Sequence, residues 1–221
     1  MALIEIKNVV KQYRSGNEVV EALRGVDLSI EAGEFITIMG QSGSGKSTLL
    51  SVLGGMNHPT SGEVEMAGVK LYQLPGEKLA DFRAENLGFV FQSFHLIPYL
   101  TAIENVMLPL AIVKMKTPAK KAAARQALER VGLGRKLDRL PNQLSGGEQE
   151  RVAIARAIVN NPHILLADEP TGNLDSKTSE EVMSLFRELN DAGQTVVMVT
   201  HNPENGAYSD RTISLKDGMV C

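Results

Sequence analysis

The sequence contains little cysteine and no long apolar stretch, and each shortage excludes a class of protein. Cys221 is the single cysteine among 221 residues, which excludes an internal disulfide and a cysteine-based metal cage. The longest apolar runs, such as Ile164–Ala167 and Val196–Val199, are far shorter than the roughly 20 residues of a membrane-spanning helix. Residues 1–7 lack the basic and apolar regions of a signal peptide. We therefore expect a cytoplasmic chain that reaches a membrane only through a partner.

The charge balance is slightly acidic. The chain has 23 lysines and arginines against 26 aspartates and glutamates, a formal net charge of −3. A general nucleic-acid surface needs a concentrated basic face, so no nucleic-acid partner is expected. Hydrophobic residues at 43% and charged residues at 22% are ordinary for a globular protein. At this length we expect residues 1–221 to form a single domain with a well-developed core.

Short apolar segments separated by helical patterns predict a mostly parallel α/β sheet with helices on both faces. Phe35–Met39 shows no alternation, which is typical of a strand buried on both faces. Three later segments have the same character: Leu87–Phe91, Ile164–Ala167 and Thr195–Thr200. Residues 3–10 are β-prone, and Val26, Leu28 and Ile30 alternate with polar residues. These two patterns predict a small antiparallel β region near the N-terminus.

The middle of the chain has a helical character. Thr117 and Pro118 begin a helix, as a cap and a proline in the first turn. Strand patterns are absent from the residues around it. We therefore predict an α-helical subdomain over about residues 93–160, inserted into an α/β core formed by residues 1–92 and 161–221.

Residues 40–47 read Gly-Gln-Ser-Gly-Ser-Gly-Lys-Ser and fit the phosphate-binding Walker A pattern. The glycines allow backbone N–H groups to point inward at phosphate oxygens. The following helix adds a favourable dipole, Lys46 a mobile positive charge, and the Ser47 hydroxyl a ligand for Mg²⁺. The alternative is a flexible Gly/Ser turn, which the flanking strand and helix argue against. The predicted nucleotide contacts here are Gly40, Gln41, Ser42, Gly43, Ser44, Gly45, Lys46, Ser47 and Thr48.

Two acids follow the buried segment that ends at Ala167. Parallel α/β sheets bind ligands at the carboxyl ends of their strands, so Asp168 would hold the shell of a Mg²⁺ ion through water. Glu169 would orient and polarise an attacking water as a general base. The alternative is that both acids are turn residues ahead of Pro170 and Gly172. The phosphate loop upstream favours the catalytic interpretation.

Three isolated residues have both a functional and an ordinary interpretation. Gln92 ends a buried strand, where its amide would touch the metal shell and the attacking water; otherwise it is a surface residue. His201 follows another strand, where its imidazole would contact the γ-phosphate; otherwise it belongs to a turn. Tyr13 would stack on adenine; otherwise it is an edge residue of a strand. Their functional interpretation depends on the motifs around them.

Residues 144–149 read Leu-Ser-Gly-Gly-Glu-Gln and also have two interpretations. Ser145 and Glu148 form a capping box, which would satisfy the free N–H groups of a following helix without any ligand. The adjacent glycines lower helix propensity and permit a close approach from outside the chain. Backbone N–H groups, Gly147 and the Ser145 hydroxyl could then hold a γ-phosphate presented by a second copy. Ser145, Gly147 and Glu148 are therefore further nucleotide-contacting candidates, and a cap and a phosphate clamp are compatible.

Together these motifs resemble those of the ATP-binding cassette (ABC) transporter ATPases, in the family's order and over nearly the whole chain. In chain order the matches are Tyr13 at the adenine-stacking position, residues 40–47 at Walker A, Gln92 at the Q-loop, residues 144–149 at the signature, Asp168 and Glu169 at Walker B, residues 173–175 at the D-loop and His201 at the switch histidine. The resemblance implies a P-loop NTPase core, ATP and Mg²⁺ as cofactors, and ATP hydrolysis with Glu169, His201 and Gln92 as catalytic residues and Ser47, Gln92 and Asp168 around the metal.

The same resemblance implies partners. In this family two chains sandwich ATP, which predicts a homodimer or a pseudo-dimer with a related ATPase. The resemblance also implies an integral membrane permease as a partner, with this chain held by it on the inner face of the cell membrane. Residues 89–98 and 166–176 look like the lipoprotein-releasing and macrolide-export branch, whose members extrude lipoproteins, peptides or drugs. Two residues depart from many relatives: Gln41 stands where proline is common and Glu150 where glutamine is more usual.

Other classes of P-loop protein explain fewer of these motifs. A non-transport ABC ATPase of DNA repair or translation is the main alternative. Chromosome-type members carry a long coiled coil between Q-loop and signature, for which this chain has no room, and translation-type members usually fuse two cassettes. A P-loop kinase would leave the signature and D-loop unexplained.

The segment after Gln92 is apolar for a surface. Its apolar residues either belong to the core of the helical subdomain or line a groove for a helix of the membrane permease. They are Phe94, Leu96, Ile97, Tyr99, Leu100, Met107, Leu108 and Leu110.

Overall fold

The computed structural model describes residues 2–16 and 18–221. Its strands, in chain order, are β1 Ala2–Ser15, β2 Glu18–Glu31, β3 Phe35–Met39, β4 Ser61–Met66, β5 Val69–Lys70, β6 Leu87–Phe91, β7 Ile164–Asp168, β8 Thr195–Thr200, β9 Arg211–Lys216 and β10 Met219–Val220. Its α-helices are α1 Lys46–Leu53, α2 Gly76–Asn86, α3 Ala102–Met107, α4 Thr117–Arg130, α5 Gly146–Ile158 and α6 Ser176–Asp191. Short 3₁₀ segments connect several of them.

The central layer is a six-stranded sheet in the order β10-β9-β3-β8-β7-β6. All neighbouring pairs are parallel except β10 with β9, so the predicted mostly parallel sheet is confirmed. The apolar residues of β8 and β7 are fully buried because helices cover both faces, which explains the lack of alternation in their sequences. In the pairing register Phe91 lies opposite Asp168 and Met39 opposite Thr200. The residues that follow β3, β6, β7 and β8 therefore lie at the same edge of the sheet.

A second sheet, in the order β2-β1-β4-β5, is antiparallel throughout and confirms the small β region near the N-terminus. It is longer than residues 3–10 suggest, because β1 and β2 continue pairing as far as Ser15 and Glu18. Several register shifts interrupt this ladder, and they break the alternation from which the strand length could be predicted. The outer part of the hairpin extends toward the phosphate loop.

The helices α3, α4 and α5 lie together, as the sequence predicts for the middle of the chain. Their buried residues, such as Ile103, Leu128 and Val152, belong to the same apolar cluster as Phe35 and Val196 of the parallel sheet. The helical region is therefore an insertion in the chain order, but its apolar residues belong to the same core as one face of the parallel sheet. A second apolar cluster fills the opposite side, between the two sheets and α1.

Two local features qualify the sequence analysis. The expected cap at Thr117 is wrong by one position: Thr117 is the first helical residue, and Lys116 precedes it without a side-chain cap. Pro118 in the first turn costs no hydrogen bond, because N–H groups there have no intrahelical acceptor. Along residues 2–16 and 18–221, no helix combines the length and apolarity that crossing a bilayer requires.

Candidate functional site

A cavity of about 970 Å³ opens at the carboxyl edge of the parallel sheet. The phosphate loop forms one wall, and residues of β2 form part of another. Gln92, Asp168, Glu169 and His201 also line it, so predicted site residues that are far apart in the sequence lie around one cavity. The lining residues of the loop are Gly40, Gln41, Ser42, Gly43, Gly45, Lys46, Ser47 and Thr48.

The phosphate loop needs glycine at two positions for reasons of space. A Cβ at Gly40 would lie 2.2 Å from the carbonyl oxygen of Leu215. A Cβ at Gly45 would lie 2.4 Å from the carbonyl oxygen of Ala22, and Gly45 has φ +103°, a region that side chains strongly disfavour. Ser44 does not line the cavity; its buried hydroxyl lies beneath the loop. The loop is thus held between β2 and β9 with its backbone facing the cavity.

The ammonium group of Lys46 lies at the mouth of this loop. It donates hydrogen bonds to the carbonyl oxygens of Gly40, at 2.7 Å, and Gln41, at 3.0 Å. The side chain is buried, so its position is fixed by the loop rather than by solvent. An ammonium group has three N–H donors, which leaves one for an anion in the cavity.

Asp168 and Ser47 form the candidate metal end of the site. The Ser47 hydroxyl donates to Oδ1 of Asp168 at 3.2 Å. Burial raises the pKa of Asp168, the Ser47 hydrogen bond opposes this, and the charge of Glu169 adds to it. A hydroxyl, a carboxylate and the amide oxygen of Gln92 are the hard oxygen donors that Mg²⁺ prefers. Among the described residues no group of three or more His, Cys, Asp or Glu side chains is placed to hold a metal.

Glu169 is the most tightly held acid of the site. It has φ +49°, and its N–H donates to the carbonyl oxygen of Val199 at 2.9 Å. Its Oε2 accepts the Thr200 hydroxyl at 3.0 Å and the His201 N–H at 3.2 Å, and its Oε1 lies 2.9 Å from Nδ1 of His201. The carboxylate is 14% exposed, whereas the His201 side chain is 65% exposed. An imidazole that donates from Nδ1 keeps Nε2 free to face the cavity.

Gln92 contacts the loop that follows Glu169. A Cβ at Gly172 would lie 2.6 Å from Nε2 of Gln92, so only glycine leaves room for the amide. The Asn173 side chain donates to the carbonyl oxygen of Gln92 at 2.8 Å. The residue after β6 and the loop after Glu169 are therefore in direct contact.

Sequence reasoning missed several residues of this site. Asn205 is buried, and its Nδ2 donates to the hydroxyls of Thr171, at 3.0 Å, and Thr200, at 3.2 Å. Thr200 in turn positions Glu169. A threonine at the end of a buried strand is a weak signal for such a role, and no local pattern identifies Asn205. Val20, Glu21 and Ala22 of β2 also line the cavity without any motif to identify them.

Tyr13 does not line the cavity. Its hydroxyl accepts a hydrogen bond from Nδ2 of Asn57 at 2.6 Å, and Nζ of Lys11 lies 5.1 Å from the ring centroid. Its partner across the hairpin, Val20, is the residue that lines the cavity. Adenine stacking on Tyr13 stays a prediction, and the contacts of the ring are those of an edge residue.

Residues 144–149 lie away from the cavity of their own chain, since none of them lines it. They contain the predicted capping box: the Ser145 hydroxyl accepts the Glu148 N–H at 3.3 Å, and Oε2 of Glu148 accepts the Ser145 N–H at 3.1 Å. Packing within the chain itself requires glycine at position 147, because a Cβ there would lie 2.2 Å from Cγ2 of Thr178. A Cβ at Gly146 would meet only Leu174, at an ordinary 3.4 Å.

Glu150, further along α5, is an unusual buried acid. The residue is 0% exposed, and no described residue donates a hydrogen bond to either carboxyl oxygen. Burial raises the pKa of Glu150 to about 9, and the charge of Arg156 only partly opposes this. An unpaired buried carboxylate would be far costlier than a neutral acid, so Glu150 is protonated at neutral pH.

A second, apolar groove of about 500 Å³ lies beside the edge strand β6. Phe89 and Phe91 form its floor, with ring centroids 5.8 Å apart and planes within 4°. Leu108 and Ile112 form one wall, and Arg83, His95 and Arg156 add polar groups. Of the apolar residues after Gln92, Leu96 and Met107 pack against the core, Leu110 is buried within it, and Leu108 lines the groove.

Comparison with known proteins agrees with this geometry. Residues 23–172 match the sequence profile described as "ABC transporter". The chain is 48% identical, over 99% of its length, to the macrolide export ATP-binding/permease protein MacB of Rhodopirellula baltica, of which it spans 32%. It is 49% identical to the uncharacterized ABC transporter ATP-binding protein MJ0796 of Methanocaldococcus jannaschii, with 99% of this chain and 95% of that protein covered.

Solved structures are similar over almost the entire chain. The dimeric, post-hydrolysis structure of the cassette MJ0796 bound to ADP and Pi has a TM-score of 0.90 and 48% identity, covering 98% of this chain and 96% of that one. CbiO1 of Clostridium perfringens, part of the transporter complex CbiONQ, has a TM-score of 0.89 at 28% identity, covering 100% of this chain and 87% of that one. The α/β fold with its antiparallel small sheet is therefore the fold of these cassettes.

Proposed function

Since this chain belongs to the ABC transporter family and is an ATP-binding cassette that hydrolyses ATP, we propose that it works as a head-to-tail dimer with two composite ATP sites. The observation that supports this most directly is the position of residues 144–149, outside the cavity of their own chain. The similar cassette MJ0796 is dimeric with ADP and Pi bound. Each chain would hold its own ATP and complete the site of its partner.

In its own half-site, each residue has one task. Lys46 offers its remaining N–H to a phosphate oxygen, and the loop backbone surrounds the other phosphates. Ser47, Asp168 and Gln92 would hold Mg²⁺, which would neutralise charge on the phosphate oxygens. Glu169 accepts a proton from the water that attacks the γ-phosphate. His201 keeps the Glu169 carboxylate in position through Nδ1.

The second half-site is the beginning of α5. Its first N–H groups have no intrahelical acceptor and carry a partial positive charge, so they attract an anion such as a γ-phosphate. The Ser145 hydroxyl and the N–H of Gly147 are the groups offered to the partner's nucleotide, and Glu148 is beside them. In a monomer this half is missing, and hydrolysis is slow.

A mixing experiment tests the two half-sites directly. Lys46→Ala disables a chain's own site, and Ser145→Asp keeps a capping residue while placing a negative charge where the phosphate must approach. Each variant alone should have little ATPase activity. In a mixture, random pairing leaves about a quarter of all composite sites complete, so activity should rise about tenfold or more above either variant.

Thr101→Asp is the matched control for this experiment. Thr101 caps α3 with the same kind of capping box as Ser145 does in α5, and it lies outside the cavity. A Thr101→Asp chain should hydrolyse ATP like the wild type. A mixture of the first two variants that is no more active than the average of its components would contradict the shared sites.

We further propose that the partner is an integral membrane permease and that the chain works at the inner face of the membrane. The chain matches about a third of MacB, a protein named as both ATP-binding and permease, which supports a permease as its partner. The apolar groove beside β6, with Phe89 and Ile112, is the surface we assign to it. By the same similarity the cargo is a drug, peptide or lipoprotein for extrusion.

The groove variant Ile112→Asp tests this docking. Ile112 is 70% exposed, so a charge there should not disturb the core, whereas Leu96 packs against the core and is a poorer choice. Co-purification of a co-expressed candidate permease with the Ile112→Asp chain should fall by about tenfold or more, as expected for a charge placed in an apolar interface. Met115→Asp, also exposed but outside the groove, is the control. Equal recovery with Ile112→Asp would exclude this surface.

A further inference from the structure

Glu148 places a carboxylate in the first turn of α5, where the proposed dimer needs to accept a phosphate. Its two oxygens are both engaged. One accepts the Ser145 N–H at 3.1 Å, and the other accepts a charged hydrogen bond from the ammonium group of Lys136. The Glu148 side chain is 16% exposed and that of Lys136 is 43% exposed, so the pair is partly shielded from water.

Lys136 is held on an ordered connection between α4 and α5. Its N–H donates to the carbonyl oxygen of Leu133 at 2.9 Å, and its own carbonyl oxygen accepts the Arg139 N–H at 3.2 Å. The same connection is tied to α3, because the Ile103 N–H donates to Leu137 at 2.9 Å. The ammonium group therefore reaches Glu148 from a fixed backbone rather than from a free surface chain.

The capping box of α3 provides an internal comparison. Glu104 bonds back to Thr101, with Oε2 accepting the N–H at 2.8 Å and the hydroxyl at 2.7 Å. Within residues 2–16 and 18–221, no ion pair of Glu104 corresponds to that between Lys136 and Glu148. Capping therefore does not itself require a lysine. Capping alone therefore does not explain the ion pair in α5.

We propose that Lys136 is a positioning residue that neutralises Glu148 so that the beginning of α5 can receive the γ-phosphate of a partner's ATP. A free carboxylate in the first turn would repel the phosphate and cancel the attraction of the helix N-terminus. With Lys136 in place, Glu148 keeps its capping role without its net charge. This inference rests on the proposed dimer.

The test uses a Glu169→Gln background, in which hydrolysis is removed and ATP-driven dimerisation is measured by sedimentation. Lys136→Met should raise the ATP concentration for half-maximal dimerisation about three- to tenfold. ATP binding to the monomer should not change, because Lys136 is outside the cavity. Lys120→Met, which removes a lysine bonded only to the carbonyl oxygen of Ala111 among described residues, should have no effect.

Rescue separates charge neutralisation from a structural tether. Adding Glu148→Gln to Lys136→Met should restore the parental ATP dependence. Glu148→Gln alone should lower the ATP concentration for half-maximal dimerisation, because it leaves the charge of Lys136 uncompensated near the phosphate. If the pair is only a tether, Glu148→Gln will itself weaken dimerisation and will not rescue Lys136→Met, which overturns the proposal. A normal ATP dependence of Lys136→Met overturns it as well. A parent chain that stays monomeric at saturating ATP removes the dimer, and this inference with it.

Discussion

Replacing Glu169 by glutamine is expected to lower ATP hydrolysis about 10²- to 10³-fold, the usual contribution of a general base. The amide cannot accept the proton of the attacking water, yet its oxygen can still accept the hydrogen bonds from Thr200 and His201. The variant should therefore bind ATP normally and remain in the closed dimer. Phosphate release measures the first effect, and size-exclusion chromatography with and without ATP measures the second.

Glu204→Gln is the control, because Glu204 is an exposed acid a few residues beyond His201 that does not line the cavity. It should hydrolyse ATP at the wild-type rate. A Glu169→Gln chain that is monomeric with saturating ATP would count against the dimer scheme. A chain that still hydrolyses ATP at the wild-type rate would remove Glu169 from the general-base role.

The second large effect is on stability: Glu150→Gln should stabilise the fold by about 3 kcal/mol at pH 7. The pKa of Glu150 is about 9 in the folded chain and 4.5 in its ordinary environment. The folded state therefore binds one proton more than the unfolded state between these values, and stability falls as pH rises through that window. Glutamine binds no such proton, so its advantage should be small near pH 5 and grow toward pH 9.

Urea denaturation of the two chains across this pH window measures the difference. Glu180→Gln, at an exposed position of α6, should leave the pH dependence unchanged. Equal stability of wild type and Glu150→Gln at all pH values would mean that Glu150 is not held in its neutral form. Glutamine has nearly the same size and shape as glutamate, so the replacement should fit the space.

Much of the site could be predicted because parallel strands bring distant segments to one edge. Once Leu87–Phe91, Ile164–Asp168 and Thr195–Thr200 are strands of one parallel sheet, the residues after them must be neighbours. Gln92 and His201 have no local signal of their own, yet both line the cavity. The strands themselves could be predicted because the period and length of apolar segments reveal buried strands.

The remaining contacts could not be predicted because they join residues that no pattern connects. The Thr178 methyl group that requires glycine at position 147 comes from another helix, and the lysine that pairs with Glu148 comes from a loop of unremarkable composition. Asn205 reaches Thr200 from a 3₁₀ segment after β8. Such contacts depend on how helices pack, and packing follows from the complete fold rather than from local spacing.

The end of β6 has a consequence for energy coupling. Successive side chains of a strand point to opposite faces, and here Phe91 lies in the apolar groove while the next residue, Gln92, lies in the nucleotide cavity. The residues that would contact a ligand in the groove and a ligand in the cavity are therefore adjacent in the chain. Binding equilibria at two coupled sites are reciprocal. If a permease occupies the apolar groove as proposed, whatever factor ATP applies to the affinity for the permease, the permease must apply to the affinity for ATP.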